Sequence, residues 1–170
     1  MPLTLDQLNA ATQAEAATLL DGLYEHSPWV VETAMAQRPF RSLAHLKHAC
    51  AQAVTGGGLD RQLALIRAHP ELAGKEAQSG TLTDDSTSEQ RGAGLINLDA
   101  VEKAQITRLN ADYRAKHGFP FIIAVRNYTR AQIFSEFARR LGNDPETELA
   151  ACLEQVFTIT RLRLEAMIKD

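Results

Sequence analysis

Only one stretch of this chain, Phe119 to Val125 (FPFIIAV), combines aromatic and β-branched residues as a strand would. A lone strand has no partner for its backbone hydrogen bonds, so a sheet is excluded and periodicity leaves the conformation of this run open. Every other readable period is helical. Thr4-x-x-Gln7 and Thr12-x-x-Glu15 match the capping box, in which hydroxyl and carboxylate or amide satisfy orphan N–H groups reciprocally. Ser27-Pro28 sets proline in the first turn of a third short helix, where its missing N–H costs nothing. Ser42 to Val54 places Leu43, Leu46, Cys50 and Val54 on one face and stops at Thr55-Gly56-Gly57-Gly58, a hinge. Leu59 to Ala68 resumes with Leu59, Leu63 and Ile66 on one side. Asp99 caps a helix through Val101, Ile106, Leu109 and Tyr113 to His117, and Gly118 ends it. Thr129 caps a helix to Leu141, and Asp144-Pro145 opens a long final one. The expectation is an all-α, single-domain helical bundle over residues 1–170.

The bundle is interrupted once. From His69 to Gly94 the text is rich in Gly, Ser, Thr and Asp and poor in large apolar residues, a polar, loop-rich insert. Such a segment inside a domain tends to be functional or disordered. Composition narrows the function: with a net charge of -3 the chain lacks the basic excess of a nucleic-acid binder. No apolar run approaches the roughly 20 residues that span a bilayer, so no membrane partner is expected. The N-terminus lacks the order of a secretory signal, and the two cysteines, Cys50 and Cys152, suit a reducing compartment. The expected setting is cytoplasmic.

Three places could carry chemistry. His69-Pro70 puts an imidazole at a helix end beside the insert, with proline biasing it away from helical geometry; a surface or capping histidine is the plainer alternative. Ser86-x-x-Glu89-Gln90 reads equally as a capping box, but a helix started there would run into Gly92 and Gly94, and glycines behind a short helix suit close approach of backbone to a ligand. In the final helix, Leu149, Leu153, Val156, Thr160, Arg163 and Met167 form one stripe, which turns Arg163 inward, while Arg161 falls with Glu154 and Glu165 on a polar side. An inward guanidinium needs an anion: an internal carboxylate, or a substrate group held by its planar fork. His45 and His48 have metal spacing but no completing ligands, and His26 and His117 sit at helix ends, where capping is the ordinary role. No metal site is expected.

Taken together, AHPELAGK (68–75), STSEQRGAGL (86–95), LNADYRAKHGFPFIIAVR (109–126) and ITRLRL (159–164) resemble the 2-oxo-4-hydroxy-4-carboxy-5-ureidoimidazoline (OHCU) decarboxylases of urate degradation. The resemblance implies a cofactor-free, all-helical, homodimeric carboxy-lyase converting OHCU to (S)-allantoin and carbon dioxide, functionally coupled to the preceding 5-hydroxyisourate hydrolase. It puts the catalytic histidine on His69 and the glutamate on Glu89. Substrate contacts fall on Pro70, Ser86, Gln90, Phe119, the backbone of Ile122, Ile123 and Ala124, and the clamp on Arg163. Two positions depart from many relatives, which have Phe at His117 and a small residue at Asn127. A cofactor-free reaction is chemically sensible, because a ring C=N beside the carboxylate can accept the electrons that pyridoxal phosphate, thiamine or a metal would otherwise take. The protein then orients, manages charge and delivers one proton to one face. A helical adaptor whose insert docks a peptide is the non-enzymatic alternative; a metal-assisted hydrolase would need a third ligand beyond His69 and Glu89.

Overall fold

Caps set the frame. The structure, a computed structural model, describes residues 1–169, and in chain order its helices are α1 (Leu5–Ala10), α2 (Gln13–Leu19), α3 (Trp29–Ala34), α4 (Leu43–Thr55), α5 (Leu59–Arg67), α6 (Lys75–Ser79), α7 (Asp84–Gly92), α8 (Ala100–His117), α9 (Arg130–Leu141) and α10 (Pro145–Met167). Two 3-10 turns, Met35–Gln37 and Val125–Asn127, join them. Thr4, Thr12, Asp99 and Thr129 all form the reciprocal capping box, and Ser42 caps α4. Each such cap is worth about 1 kcal/mol. Gly118, at φ 78°, ends α8 in the left-handed conformation that favours glycine.

The chain forms two compact units. The first comprises Met1–Ala68 and the stretch from Phe157 onward; the second is His69–Val156. In the first, α3 packs on α2 and α4, and Leu3 makes a single parallel bridge to Ile168. Leu8, Leu23, Val30, Leu46 and Ile66 are completely buried there. In the second, α8 packs on α9, and α7 on the Val125–Asn127 turn, around Ile106, Tyr113, Phe121, Ile133 and Phe137.

Several expectations shift by part of a turn. Leu59 and Val101, read as inward, are 57% and 77% exposed, because each is the first or second residue of its helix and the buried face begins further on. The inner stripe of α8 is Ile106, Asn110, Tyr113 and His117, so two polar residues occupy helical-core spacing. His117 is therefore a buried ring beside Tyr113 (centroids 4.4 Å apart) and stacked on Phe119, rather than a cap.

The His69–Gly94 stretch is polar as read, yet holds two helices. Thr83, not Ser86, caps α7: its hydroxyl accepts the Ser86 N–H, and Asp84 and Asp85 occupy the first turn, where the helix dipole favours them. Gly94 has a structural reason. Gly94 (φ 76°) donates to the Arg91 carbonyl and Leu95 to that of Gln90, the Schellman pattern that closes a helix.

The run Phe119–Ala124 has no regular secondary structure and pairs with no strand among the described residues, and all of it is buried. Backbone polar groups in such a place must be satisfied by side chains. Arg140 Nη1 donates to the Ile122 carbonyl (2.7 Å), and the Ala124 N–H donates to Gln155 Oε1 (2.9 Å). The strand-like composition thus reflects burial, not pairing.

Candidate active site

The second unit opens with His69, directly after the Ala68 that closes α5. His69 is 7% exposed, which removes the surface reading, and Pro70 behind it is half-buried. The chain then turns sharply through Glu71, Leu72 and Ala73, the last at φ 48°, a left-handed conformation unusual for alanine. Three side chains hold this turn. Gln90 Oε1 accepts the Ala73 N–H (2.9 Å), Asn110 Nδ2 donates to the Leu72 carbonyl (2.9 Å), and Arg114 pairs with Glu71 (3.2 Å). The His69 loop is thereby fastened to α7 and α8.

Helix α7 presents Ser86 and Gln90, four residues apart, on its buried face, with Glu89 half-buried between them. The same helix packs on the Val125–Asn127 turn, which continues the Phe119–Ala124 run. His69, Pro70, Ser86, Glu89, Gln90, Phe119 and Ile122–Ala124 all lie in the unit His69–Val156, where Gln90 ties the His69 loop to α7 and α7 packs on the turn after the Phe119–Ala124 run. A buried imidazole, a carboxylate and a fixed stretch of backbone are the components of acid–base chemistry on a small polar ring.

Some expected ligand groups have internal partners. Gln90 is engaged by the Ala73 amide. The Ile122 carbonyl takes Arg140, and the Ala124 N–H and C=O bond Gln155 and the Asn127 N–H. Ile123 lies between, and its peptide groups have no partner among the described residues.

Arg163 belongs to the other unit. It is inward, as its stripe position requires, and 4% exposed. Its Nη2 meets Glu25 Oε1 at 3.0 Å, and its Nη1 donates to the Gly22 carbonyl at 3.0 Å. The internal-carboxylate alternative for this guanidinium is thus present in the fold. Arg161 is half-exposed and near Glu165 (3.7 Å), on the polar side expected of it.

A buried network that the sequence did not single out adjoins the Phe119–Ala124 run. Glu148, fully buried, accepts from Arg140 Nε (2.9 Å), Tyr113 Oη (2.6 Å) and Asn143 Nδ2 (2.9 Å). The Arg140 guanidinium lies 4.4 Å from the Phe121 ring centroid. Burial pushes the Tyr113 hydroxyl and the Cys152 thiol upward, so both stay protonated in this network. The same cause holds His117 below its ordinary value, outweighing the Glu148 and Asp144 charges that oppose it; Lys116 and Arg140 push the same way as burial. The available signal was polar residues at apolar spacing: Asn110 and His117 in α8, Glu148 and Gln155 in α10.

A family model described as OHCU decarboxylase matches residues 9–165, across both units. The chain is 38% identical over 162 residues to the 2-oxo-4-hydroxy-4-carboxy-5-ureidoimidazoline decarboxylase of Haloferax volcanii, covering 95% of this chain and 94% of that one. It is 36% identical over 167 residues to the uric acid degradation bifunctional protein PucL of Bacillus subtilis, covering 98% of this chain and 33% of that protein. Among solved structures, the crystal structure of (S)-allantoin synthase matches with a TM-score of 0.78 and 30% identity, over 98% of this chain and 54% of that one. Among the described residues, no helix is long and apolar enough to cross a membrane.

Proposed function

Because this chain belongs to the OHCU decarboxylase family, we propose that it decarboxylates OHCU to (S)-allantoin, with His69 and Glu89 as the acid–base pair and no cofactor. The observation that supports this best is the tie from the loop of the buried His69 to α7 through Gln90, and from α7 to the turn that continues the Phe119–Ala124 run.

The chemistry balances without an added electron sink. The bond to the carboxylate breaks, carbon dioxide leaves, and the electron pair moves into the adjoining ring C=N, whose nitrogen takes a proton from water. His69 then accepts the proton of the ring hydroxyl, which becomes a carbonyl, and returns a proton to the ureido-bearing carbon from one face. Glu89 orients the imidazole and stabilises its protonated form. Acid–base assistance of this kind lowers the barrier by about 3–5 kcal/mol. Pro70 keeps the histidine out of helical geometry; Ser86, Gln90, Phe119 and the Ile122–Ala124 backbone form the walls.

Arg163 is proposed as the clamp on the substrate's anionic edge, as the resemblance implies. Its ion pair with Glu25 favours a second role, bracing the Gly22–Glu25 turn. Replacing Arg163 with Lys separates the two: a clamp raises KM, since a point charge cannot reproduce a planar fork, whereas a brace alone lowers stability and leaves KM unchanged.

The same proposal includes a cytoplasmic homodimer working in sequence with a 5-hydroxyisourate hydrolase; the name of the Bacillus subtilis relative, bifunctional in uric acid degradation, supports that coupling. Light scattering of purified protein tests the dimer. Circular dichroism of the urate-to-allantoin cascade tests the activity: with the protein, optically active allantoin accumulates ahead of the racemic background. A cascade that yields only racemate at the spontaneous rate refutes the assignment.

A further inference from the structure

Burying an arginine and a glutamate together is a poor route to stability, since a hydrophobic pair of similar volume does as well or better. Arg140 and Glu148 are nevertheless 4% and 0% exposed, and they are fully engaged. Arg140 bonds Glu148 through Nε, the Ile122 carbonyl through Nη1 and the Cys152 sulfur through Nη2 (3.4 Å), and lies over Phe121. Glu148 is held in turn by Tyr113 and Asn143. Every arm of this network ends on, or supports a group that ends on, the Phe119–Ala124 run. Gln155, one turn beyond Cys152 on α10, takes the Ala124 N–H. Between the two anchored residues, Ile123 keeps both peptide groups without a partner among the described residues. A buried backbone without regular secondary structure has no intrinsic register; side chains must supply one.

We propose that Arg140 and Gln155 are positioning residues that lock the Ile122 and Ala124 peptide groups and so aim the Ile123 amide and carbonyl at the ureido or ring amides of the substrate. This inference rests on the decarboxylase reading. Neither side chain touches substrate; each acts through the backbone it holds, and oriented backbone groups bind a planar amide ring only when their direction is set in advance.

The test compares Gln155→Leu, Gln155→Glu and Arg140→Lys with the unaltered protein, each first shown folded by far-ultraviolet circular dichroism and thermal melting. Steady-state kinetics on OHCU and the optical purity of the allantoin formed are then read. Gln155→Leu raises KM about tenfold, the effect of one lost oriented hydrogen bond, and lowers the optical purity, while Gln155→Glu, which retains an acceptor, restores both. Arg140→Lys, if folded, shifts KM in the same direction; if it is unfolded, the Gln155 pair decides alone. Wild-type KM and optical purity in folded Gln155→Leu overturn the proposal, as does a loss of activity that only follows the folded fraction. Absence of activity in the unaltered protein sinks the decarboxylase reading instead, so the two failures are distinct.

Discussion

Each unit of this protein contains a buried arginine–glutamate pair, and the two pairs are built alike. Arg163 meets Glu25 at 3.0 Å and donates to the carbonyl of Gly22; Arg140 meets Glu148 at 2.9 Å and donates to the carbonyl of Ile122. In both, one charge neutralises the guanidinium while its spare N–H groups satisfy a backbone that has no regular structure of its own. The difference lies in separation along the chain. Glu25 and Arg163 are 138 positions apart, so their pair ties the N-terminal segment to the last turns of α10. Arg140 and Glu148 are 8 apart and span the α9–α10 connection, so their pair makes a rigid corner from which the Phe119–Ala124 run is held. The first pair closes a long loop; the second sets the direction of a short one.

Truncation is the strongest way to break the comparison. Arg140→Met and Arg163→Met each leave a carboxylate buried and uncompensated, with an expected loss of about 3–5 kcal/mol in denaturant unfolding. Adding Glu148→Leu to Arg140→Met, or Glu25→Leu to Arg163→Met, should recover most of it. A single truncation costing under about 1 kcal/mol would show that the pair is not desolvated as described.

Activity separates the pairs further. His69→Asn sets the scale: it should lower kcat by about a hundredfold or more at unchanged melting temperature, read by the appearance of optically active allantoin. Against it, Arg163→Lys is expected to raise KM several-fold if the guanidinium clamps substrate.

His117 sharpens the picture of the second unit through pH. Its folded pKa lies below the ordinary 6.5, so the unfolded chain binds the proton more readily. Its contribution is therefore fully present above pH 6.5 and is lost as pH falls from there toward the folded value. His117→Phe removes this linkage. Melting curves from pH 8 to 5 should show the variant gaining on the parent as the solution is acidified, and parallel curves would contradict the buried neutral ring.

The smallest effect concerns Gly92, the last residue of α7. A Cβ there meets nothing within 4 Å, so Gly92→Ala should add about 0.5–1 kcal/mol of stability through helix propensity alone. Gly94→Ala, by contrast, should destabilise, because φ is 76°.

Local chemistry made the helices legible. A cap is settled within four residues, so Thr4, Thr12, Ser42, Asp99 and Thr129 could be read as they stand, and Gly118 marked an end for the same reason. At α7 two local signals compete. Ser86-x-x-Glu89 has the letters of a capping box, but Thr83 followed by Asp84 and Asp85 starts the helix earlier. Polar residues at apolar positions, such as Asn110, His117 and Glu148, are hidden from the pattern, since period alone cannot reveal a partner elsewhere in the chain.

Sequence by itself determined the helical class, the positions of most helix starts, the inward face of Arg163 and the residues His69 and Glu89 as candidates, because these rest on neighbours within a turn or on motif order. Only the tertiary structure decided that Arg163 pairs with Glu25, that Gln90 and Asn110 hold the turn after His69, and that Arg140 and Gln155 anchor a buried run lacking any strand partner. The physical reason is range: capping and periodicity are settled within a few bonds, whereas a buried charge or an orphaned peptide group is satisfied by whichever residue the packing delivers.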